Sequence, residues 1–387
     1  MSVIIQKYGG TSVGNIERIL NVAQNISKMY KNGYRLVVVV SAMSGETTRL
    51  LDLAQNITND NKNRELDTIA ATGEQITIAL LSLALQKINI PAKSYCGWQI
   101  PIITTNDYTQ ARIKTIPIEK IKQDLNDNIV VVVAGFQGVT QNGEITTLGR
   151  GGSDTSAVAL AIALNAQECQ IYTDVNGVYN ADPNKITIAK RIEVINGTCM
   201  LESASLGAKV LHVRSCELAY RYKTNIRVLS TFAPKDQGSL IMNQSELENY
   251  PIISVSTQDA QTIIKFKSLN INISPIMVQI YNICTIDMLQ ISQDDISFVV
   301  DEIHAEQIEL ALKKLNIKNI TIIHNLTKIS VIGSGFRSNN TLNQKIWRLL
   351  NEVEIFATSH NEISISILIH NFDATSARNK LANLLTS

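Results

Sequence analysis

Short runs of β-branched residues recur through the first 240 or so positions, separated by stretches with apolar residues at helical spacing. This alternation limits the fold more than any other feature. The strand candidates are Val3–Lys7, Leu36–Ser41, Ile129–Ala134, Gln170–Thr173 and Ile226–Leu229, and the helix candidates are Glu17–Tyr30, Ala70–Gln86 and Asp154–Leu164. Strands that are apolar at nearly every residue must be covered on both faces. The expected class is therefore α/β, a three-layer sandwich around a mainly parallel sheet. The 387 residues, 45% hydrophobic and 18% charged, suit a globular chain of two or three domains.

Charge and cysteine usage narrow the function classes. The 35 Lys+Arg against 34 Asp+Glu leave a net charge of +1, which provides no broad basic field for nucleic acid. The longest apolar runs, Leu36–Val40 and Ile129–Phe136, are far shorter than the ~18 residues a membrane helix needs. Met1–Lys7 shows neither a basic n-region nor a cleavage site, so a cytoplasmic protein is expected. Cys96, Cys169, Cys199, Cys216 and Cys284 are scattered and odd in number, which favours reduced structural thiols. No histidine has ligand spacing, so a metal held by protein side chains is not expected.

After Asn249-Tyr-Pro251 the texture changes and a repeat appears. Ile263-Ile-Lys-Phe-Lys-Ser268 resembles Ile329-Ser-Val-Ile-Gly-Ser334, Asp295-Ile-Ser-Phe298 resembles Glu362-Ile-Ser-Ile365, and Leu312-Lys-Lys-Leu315 resembles Leu381-Ala-Asn-Leu384. Each copy reads strand, helix, strand, strand, helix, a βαββαβ-type α+β unit. A unit of roughly 65 residues buries little surface alone, so pairing of the copies or dimerisation is expected. From the residues alone, the tail is either a small-molecule sensor or a purely structural module.

Four segments stand out chemically. Lys7-Tyr-Gly-Gly-Thr-Ser-Val13 follows the first strand; adjacent glycines can present bare N–H groups to an anion and Lys7 adds a point charge, although a glycine turn beside a chance lysine would look the same. Thr147-Leu-Gly-Arg-Gly-Gly-Ser-Asp-Thr-Ser156 runs into an apolar helix. Its glycines free the backbone, and Asp154 or Ser153 is expected to cap the helix. The helix end suits a phosphate or carboxylate, and Arg150 offers a planar fork for a carboxylate. The competing reading is simply a well-capped helix. Thr173-Asp-Val-Asn-Gly-Val-Tyr-Asn-Ala-Asp-Pro183 leaves a strand through a polar turn, and alone is an ordinary loop. Lys209 lies among small residues, where it is either a phosphate contact or merely solvated.

Together these strings resemble the aspartokinases, within the amino-acid kinase fold. K-Y-G-G-T-S-V, S-A-M-S-G-E-T (Ser41–Thr47), T-G-E (Thr72–Glu74), G-R-G-G-S-D-T-S-A and T-D-V-x-G-V-Y-x-x-D-P occur in family order, and the two C-terminal repeats resemble paired ACT modules. The resemblance implies a kinase domain over 1–245, a first ACT module over 246–327 and a second over 328–387. Residues 252–257 would pair into the second module.

The resemblance further implies transfer of the γ-phosphoryl of ATP, brought in with Mg²⁺, to the β-carboxylate of L-aspartate. Lys7 would lie along the phosphates, and Asp154 would hold lysines and donors in place. Tyr8, Gly9, Gly10 and Ser12 would form the phosphate cradle. Arg150 would clamp the substrate carboxylate and Glu74 its ammonium group. Ser41, Thr47, Phe136, Gly151, Gly152 and Ser153 would complete the amino-acid pocket. Thr173, Asp174, Tyr179, Asp182, Asn184, Lys185, Lys209 and Val210 match nucleotide positions. A homodimer or larger homo-oligomer through the ACT modules is implied, with lysine or threonine as candidate effectors.

Three departures from the family pattern are visible. Asp182-Pro-Asn184-Lys185 replaces Asp-Pro-Arg, so Lys185 would have to supply the usual cation. His212-Val213 replaces His-Pro. Leu269–Ile276 lacks the D-x-P-G turn of the first ACT helix, although Ile286-Asp-Met288, Gly333-Ser-Gly-Phe-Arg-Ser338 and Thr358-Ser359 are kept. Two other functions compete: a relative acting on glutamate, N-acetylglutamate or carbamate, and a catalytically weakened amino-acid sensor. The paired ACT repeats argue against the first, and intact Lys7, Glu74, Arg150 and Asp154 against the second.

Overall fold

The computed structural model describes residues 2–58, 60, 62–233, 236–242, 253–267 and 272–385. It divides into two compact units. One comprises Met1–Val178, Arg191–Ala204 and Lys209–Glu246; the other comprises Tyr179–Lys190, Ser205–Ala208 and Leu247–Ser387.

The first unit is built on an eight-stranded sheet. Its spatial order is Val194–Asn196, Ser239–Met242, Ile226–Ser230, Glu168–Thr173, Val3–Tyr8, Arg35–Val40, Val130–Ala134, Ala92–Tyr95. All neighbours are parallel except Ile226–Ser230 and Ser239–Met242. Successive strand residues point to opposite faces. Ile4, Tyr8, Leu36, Val38, Val40, Val130 and Val132 therefore pack on one side against helices Ile16–Lys31 and Thr72–Lys87. Ile5, Val37, Val39, Val131 and Val133 are equally buried on the other, where helix Gly152–Ala163 packs. Each such Val or Ile contributes about 1.5–3 kcal/mol on burial, so the unbroken apolar strands demand both helical layers. This is the expected α/β sandwich.

The helix expected over Ala70–Gln86 is found as Thr72–Lys87, and a short helix not read from the sequence precedes it. Arg64–Ala70 is capped by Asn63, and Thr72–Lys87 follows after a break at Ala71. Arg64–Ala70 buries only Asp67 and Ala70, too little to leave an apolar pattern. Taken as one stretch, Arg64–Lys87 is long and apolar enough to cross a membrane, yet more than half of its apolar window is buried inside the fold, as in a core helix. All five cysteines are unpaired, and all but Cys284 are buried.

The second unit carries a six-stranded antiparallel sheet in the order Asp287–Ile291, Asp295–Asp301, Ser254–Lys267, Thr321–Ile332, Ser364–His370, Ile355–His360. Two long strands are shared. Ser254–Gln258 pairs with Lys328–Ile332, and beyond an irregularity at Gln258–Ile263, where Ala260 takes φ +54, the same strand pairs with Asp295–Asp301. Two cores result. Helices Ile273–Ile283 and Ala305–Lys314 cover one around Phe266 and Phe298, and helices Asn340–Leu349 and Asn371–Ala382 cover the other around Ile329 and Ile367. These are two α+β modules of the ACT type. Of the altered first-module turn, Leu269, Asn270 and Ile271 lie outside the described residues. Asn272 caps the following helix through the Ser274 N–H. The retained Asp287 is ion-paired to the buried Lys328.

Candidate active site

Parallel strands place their following loops at one edge of the sheet, and a crevice outside the strands' carboxyl ends is where open α/β sheets bind ligands. Val3–Tyr8 runs into Gly9-Gly10, Arg35–Val40 into Ser41-Ala42, Val130–Ala134 into Gly135-Phe136, and Glu168–Thr173 into Asp174. Three of the motifs read from sequence thus converge on this edge, together with Gly135-Phe136.

Lys7 Nζ lies 2.6 Å from Asp154 Oδ1, with both side chains only about one-eighth exposed. Asp154 does not cap its helix, and neither does Ser153. The N-cap is Gly151 in a left-handed conformation (φ +70), and no side chain caps the first turn. The glycine arch Gly149–Gly151 carries the chain into the helix without a polar cap, which leaves Asp154 free to meet Lys7.

The lysine loop is tightly packed. A Cβ on Gly10 would stand 2.9 Å from the Ala42 carbonyl oxygen, so only glycine fits there. The Gly9 N–H donates to the Tyr172 carbonyl. Two expected contacts are corrected. Tyr8 is fully buried and stacked on Tyr172 with ring centroids 4.5 Å apart, so its ring belongs to the core and only its backbone borders the site. Ser12 is also fully buried, and its hydroxyl shares a hydrogen bond with that of Thr231 at 2.6 Å, so its side chain belongs to the core.

Glu74 sits in the first turn of helix Thr72–Lys87, 2% exposed. Its Oε1 accepts from the Ala42 N–H at 2.9 Å, and Oε2 has no hydrogen-bond partner among the described residues. Burial raises its pKa to about 7 against the pull of those backbone N–H bonds. Ser41 and Thr47 are half-buried, on the loop and helix that follow the second strand. Phe136 takes φ +69, unusual for a bulky residue, and its N–H donates to Ser156 Oγ. A Cβ on Gly152 would lie 2.8 Å from the Phe136 ring, and one on Gly135 would strike Ser153. The Gly135-Phe136 turn is thus seated on the start of the helix.

Arg150 is exposed and makes no hydrogen bond or ion pair among the described residues. Gly151 beside it meets His212, whose Cβ and Cγ would stand 2.3 Å from an added Cβ. Gly151→Ala should therefore cut kcat/KM for the amino-acid substrate by at least ~10²-fold, through both the clash and the left-handed φ. Gly151→Ala/His212→Ala should recover part of the loss in steady-state kinetics; no recovery would show that the ring contact is not what excludes a side chain. His212 itself caps helix Val213–Arg221 through the Arg214 N–H. Burial, and beyond it Arg150 and Arg214, lower its pKa despite Asp154.

The nucleotide candidates divide between the units. Thr173, Asp174, Lys209 and Val210 belong to the first; Thr173 Oγ1 donates to Asp174, and Lys209 is exposed. Tyr179, Asp182, Asn184 and Lys185 belong to the second. There Asp182 accepts from the Asn184 N–H and caps the turn Asp182–Ile186, while Lys185 is ion-paired with Asp259 at 2.5 Å. Lys185 is therefore not an uncommitted cation. Sequence reading missed Asp67, Ser156, His212 as a packing partner, and Arg214. Only Asp67 left a trace, as an acid in register with Ala70 and Ala71 on a helix's buried face.

Residues 2–230 match the family model of the amino acid kinase family. An aspartate kinase of Pseudomonas fluorescens (strain SBW25) is 42% identical over 394 residues, covering 95% of this chain and 94% of the relative. The chain belongs to the aspartokinase family. An aspartokinase of Rickettsia felis is 37% identical, with 99% of each chain covered. Among solved structures, E. coli aspartokinase III in complex with aspartate and ADP matches over the full length of both chains with a TM-score of 0.83. The same protein in complex with lysine and aspartate gives 0.80. Sequence identity to these structures is 23%, so their likeness speaks for the fold. The enzyme is an aspartate kinase, and its first unit carries the kinase fold.

Proposed function

We propose that the enzyme transfers the γ-phosphoryl group of MgATP to the β-carboxylate of L-aspartate, giving ADP and 4-phospho-L-aspartate. A carboxylate oxygen forms the new P–O bond while the bond to the β,γ-bridging oxygen breaks, and the electron pair leaves with ADP. The acceptor is already ionised, so no base is required. The work lies in aligning two anions and neutralising charge on the transferring group.

What carries this reading is the complement of charges in one unit. A buried carboxylate with one oxygen unbonded (Glu74) and an uncommitted guanidinium (Arg150) accompany the Lys7–Asp154 pair. Glu74 takes the substrate ammonium group and Arg150 the α-carboxylate in a two-pronged contact. Lys7 sits along the phosphates, held there by Asp154, and the Gly10 backbone borders them. Thr173, Asp174, Lys209 and Val210 serve the nucleotide. A solved aspartokinase in complex with aspartate and ADP supports these two ligands for the site. The product is the first intermediate toward lysine, threonine, methionine and diaminopimelate.

The paired C-terminal modules are the seat of feedback inhibition by lysine or threonine and of homodimerisation. A lysine-bound relative supports the effector, and the exposed Val278 and Tyr281 on helix Ile273–Ile283 support a covered face. Coupled ADP release with L-aspartate, L-glutamate, N-acetylglutamate and no acceptor tests the substrate. Arg150→Ala should raise the aspartate KM about 100-fold with the ATP KM unchanged. An unchanged aspartate KM would contradict the clamp.

A further inference from the structure

Arg150 can act as a clamp only if the arch that carries it is held still, and its own side chain contributes nothing to that. The two residues that lead into the arch are fixed at every backbone polar group. The Thr147 N–H donates to Asp67 Oδ2 at 2.7 Å and its carbonyl accepts from the Ala111 N–H at 2.9 Å. The Leu148 N–H donates to the Phe136 carbonyl at 2.8 Å, and its own carbonyl accepts from Arg214 Nη1 at 2.8 Å. Gly149 (φ +76) and Gly151 (φ +70) then form the arch, with Arg150 between them.

Asp67 is the buried centre of this arrangement. It is 1% exposed on helix Arg64–Ala70, and no cation pairs with it among the described residues. Its carboxylate is satisfied by neutral donors: the Thr147 N–H, the Thr147 hydroxyl at 2.7 Å, and the Thr109 N–H at 3.0 Å to each oxygen. Thr109 is β-branched yet sits at φ +66, a conformation that persists only where the surroundings impose it. Its carbonyl oxygen lies 2.8 Å from the place a Cβ on Gly149 would take, so the strained residue forms the floor of the arch. A buried charge with no counter-ion is costly to keep, and this one spends all its bonding on Thr109 and on Thr147 at the end of strand Ile145–Thr147.

We propose that Asp67 is a positioning residue for the acceptor: it sets Thr147 and Thr109, these set the glycine arch, and the arch sets Arg150. Arg214 grips the same arch through Leu148 and Ala111. This rests on the reading of Arg150 as the substrate clamp. In Asp67→Asn the amide retains one acceptor and turns an N–H₂ toward donors, so the arch loses its anchor while Arg150 remains intact.

The test is steady-state kinetics of Asp67→Asn, Arg150→Ala and the double variant. Asp67→Asn should raise the aspartate KM about tenfold or more and change the ATP KM by less than about twofold, a split that general loosening of the fold would not give. In the Arg150→Ala background the same change should alter the aspartate KM by less than about twofold, because both act through one group. Should Asp67→Asn fail to fold, Thr147→Val and Thr147→Ser carry the same test. The valine removes one donor to Asp67 and should raise the aspartate KM several-fold; the serine keeps it and should match the wild type. Equal effects on both substrates, effects that multiply with Arg150→Ala, or a Thr147→Val that behaves like Thr147→Ser would overturn the assignment of Asp67. An Arg150→Ala with unchanged aspartate KM would instead overturn the clamp beneath it.

Discussion

Glu74→Gln should give a more stable enzyme that barely uses aspartate. Burial lifts the Glu74 pKa from 4.5 to about 7, so the folded chain holds this proton more tightly than the unfolded chain does. The sign follows from linkage. The stability contributed by this group is full below about pH 4.5, falls as pH rises, and is lost above pH 7, by about 3 kcal/mol in all. Glutamine is neutral throughout and escapes that loss. At pH 8 Glu74→Gln should melt several degrees above the wild type, and at pH 5 the difference should vanish. Its aspartate KM should rise at least ~100-fold, because the ammonium group loses a buried anionic partner. In the wild type, kcat/KM for aspartate should climb between pH 6 and 8 as Glu74 ionises. A variant less stable than the wild type at pH 8 would show that the second oxygen is already satisfied within the fold.

Lys7→Met should lower kcat by about 10³-fold, since a positioned cation on the transferring phosphoryl group acts mainly in the transition state. Melting should suffer too, because Asp154 loses its partner 2.6 Å away in a site mostly shielded from water. Adding Asp154→Asn to Lys7→Met removes the orphaned charge and should recover melting without recovering turnover. Recovery of both would mean that Lys7 serves the fold and not the chemistry. Loss of neither on Lys7→Met would remove the pair from the mechanism altogether.

The parts of this molecule legible from sequence are those written in local periodicity. Val3–Tyr8, Val130–Ala134 and Ile226–Ser230 lie within a residue or so of their expected bounds, because apolar strands in a parallel sheet advertise themselves. The repeat after Pro251 likewise appears as two modules. The short helix Arg64–Ala70 was illegible, since its seven residues bury only Asp67 and Ala70.

The site shows the same division. Lys7, Arg150 and Asp154 stand in glycine-rich strings whose chemistry is readable one residue at a time. What the structure adds depends on residues distant in the chain. Ser12 meets Thr231, Tyr8 meets Tyr172, Gly151 meets His212 and Asp67 meets Thr147. A serine in a phosphate-type loop and a serine buried against a threonine look identical in sequence, and only the sheet order decides between them. Lys185 is the same kind of case. Its charge is legible, but its partner Asp259 is not.

The most direct measurement is capture of the acyl phosphate. Purified enzyme with MgATP, L-aspartate and hydroxylamine should form the β-hydroxamate of aspartate in step with ADP release, and Lys7→Met should abolish both. ADP release without the β-hydroxamate, or hydroxamate formed from glutamate as readily as from aspartate, would contradict phosphoryl transfer to the β-carboxylate of aspartate.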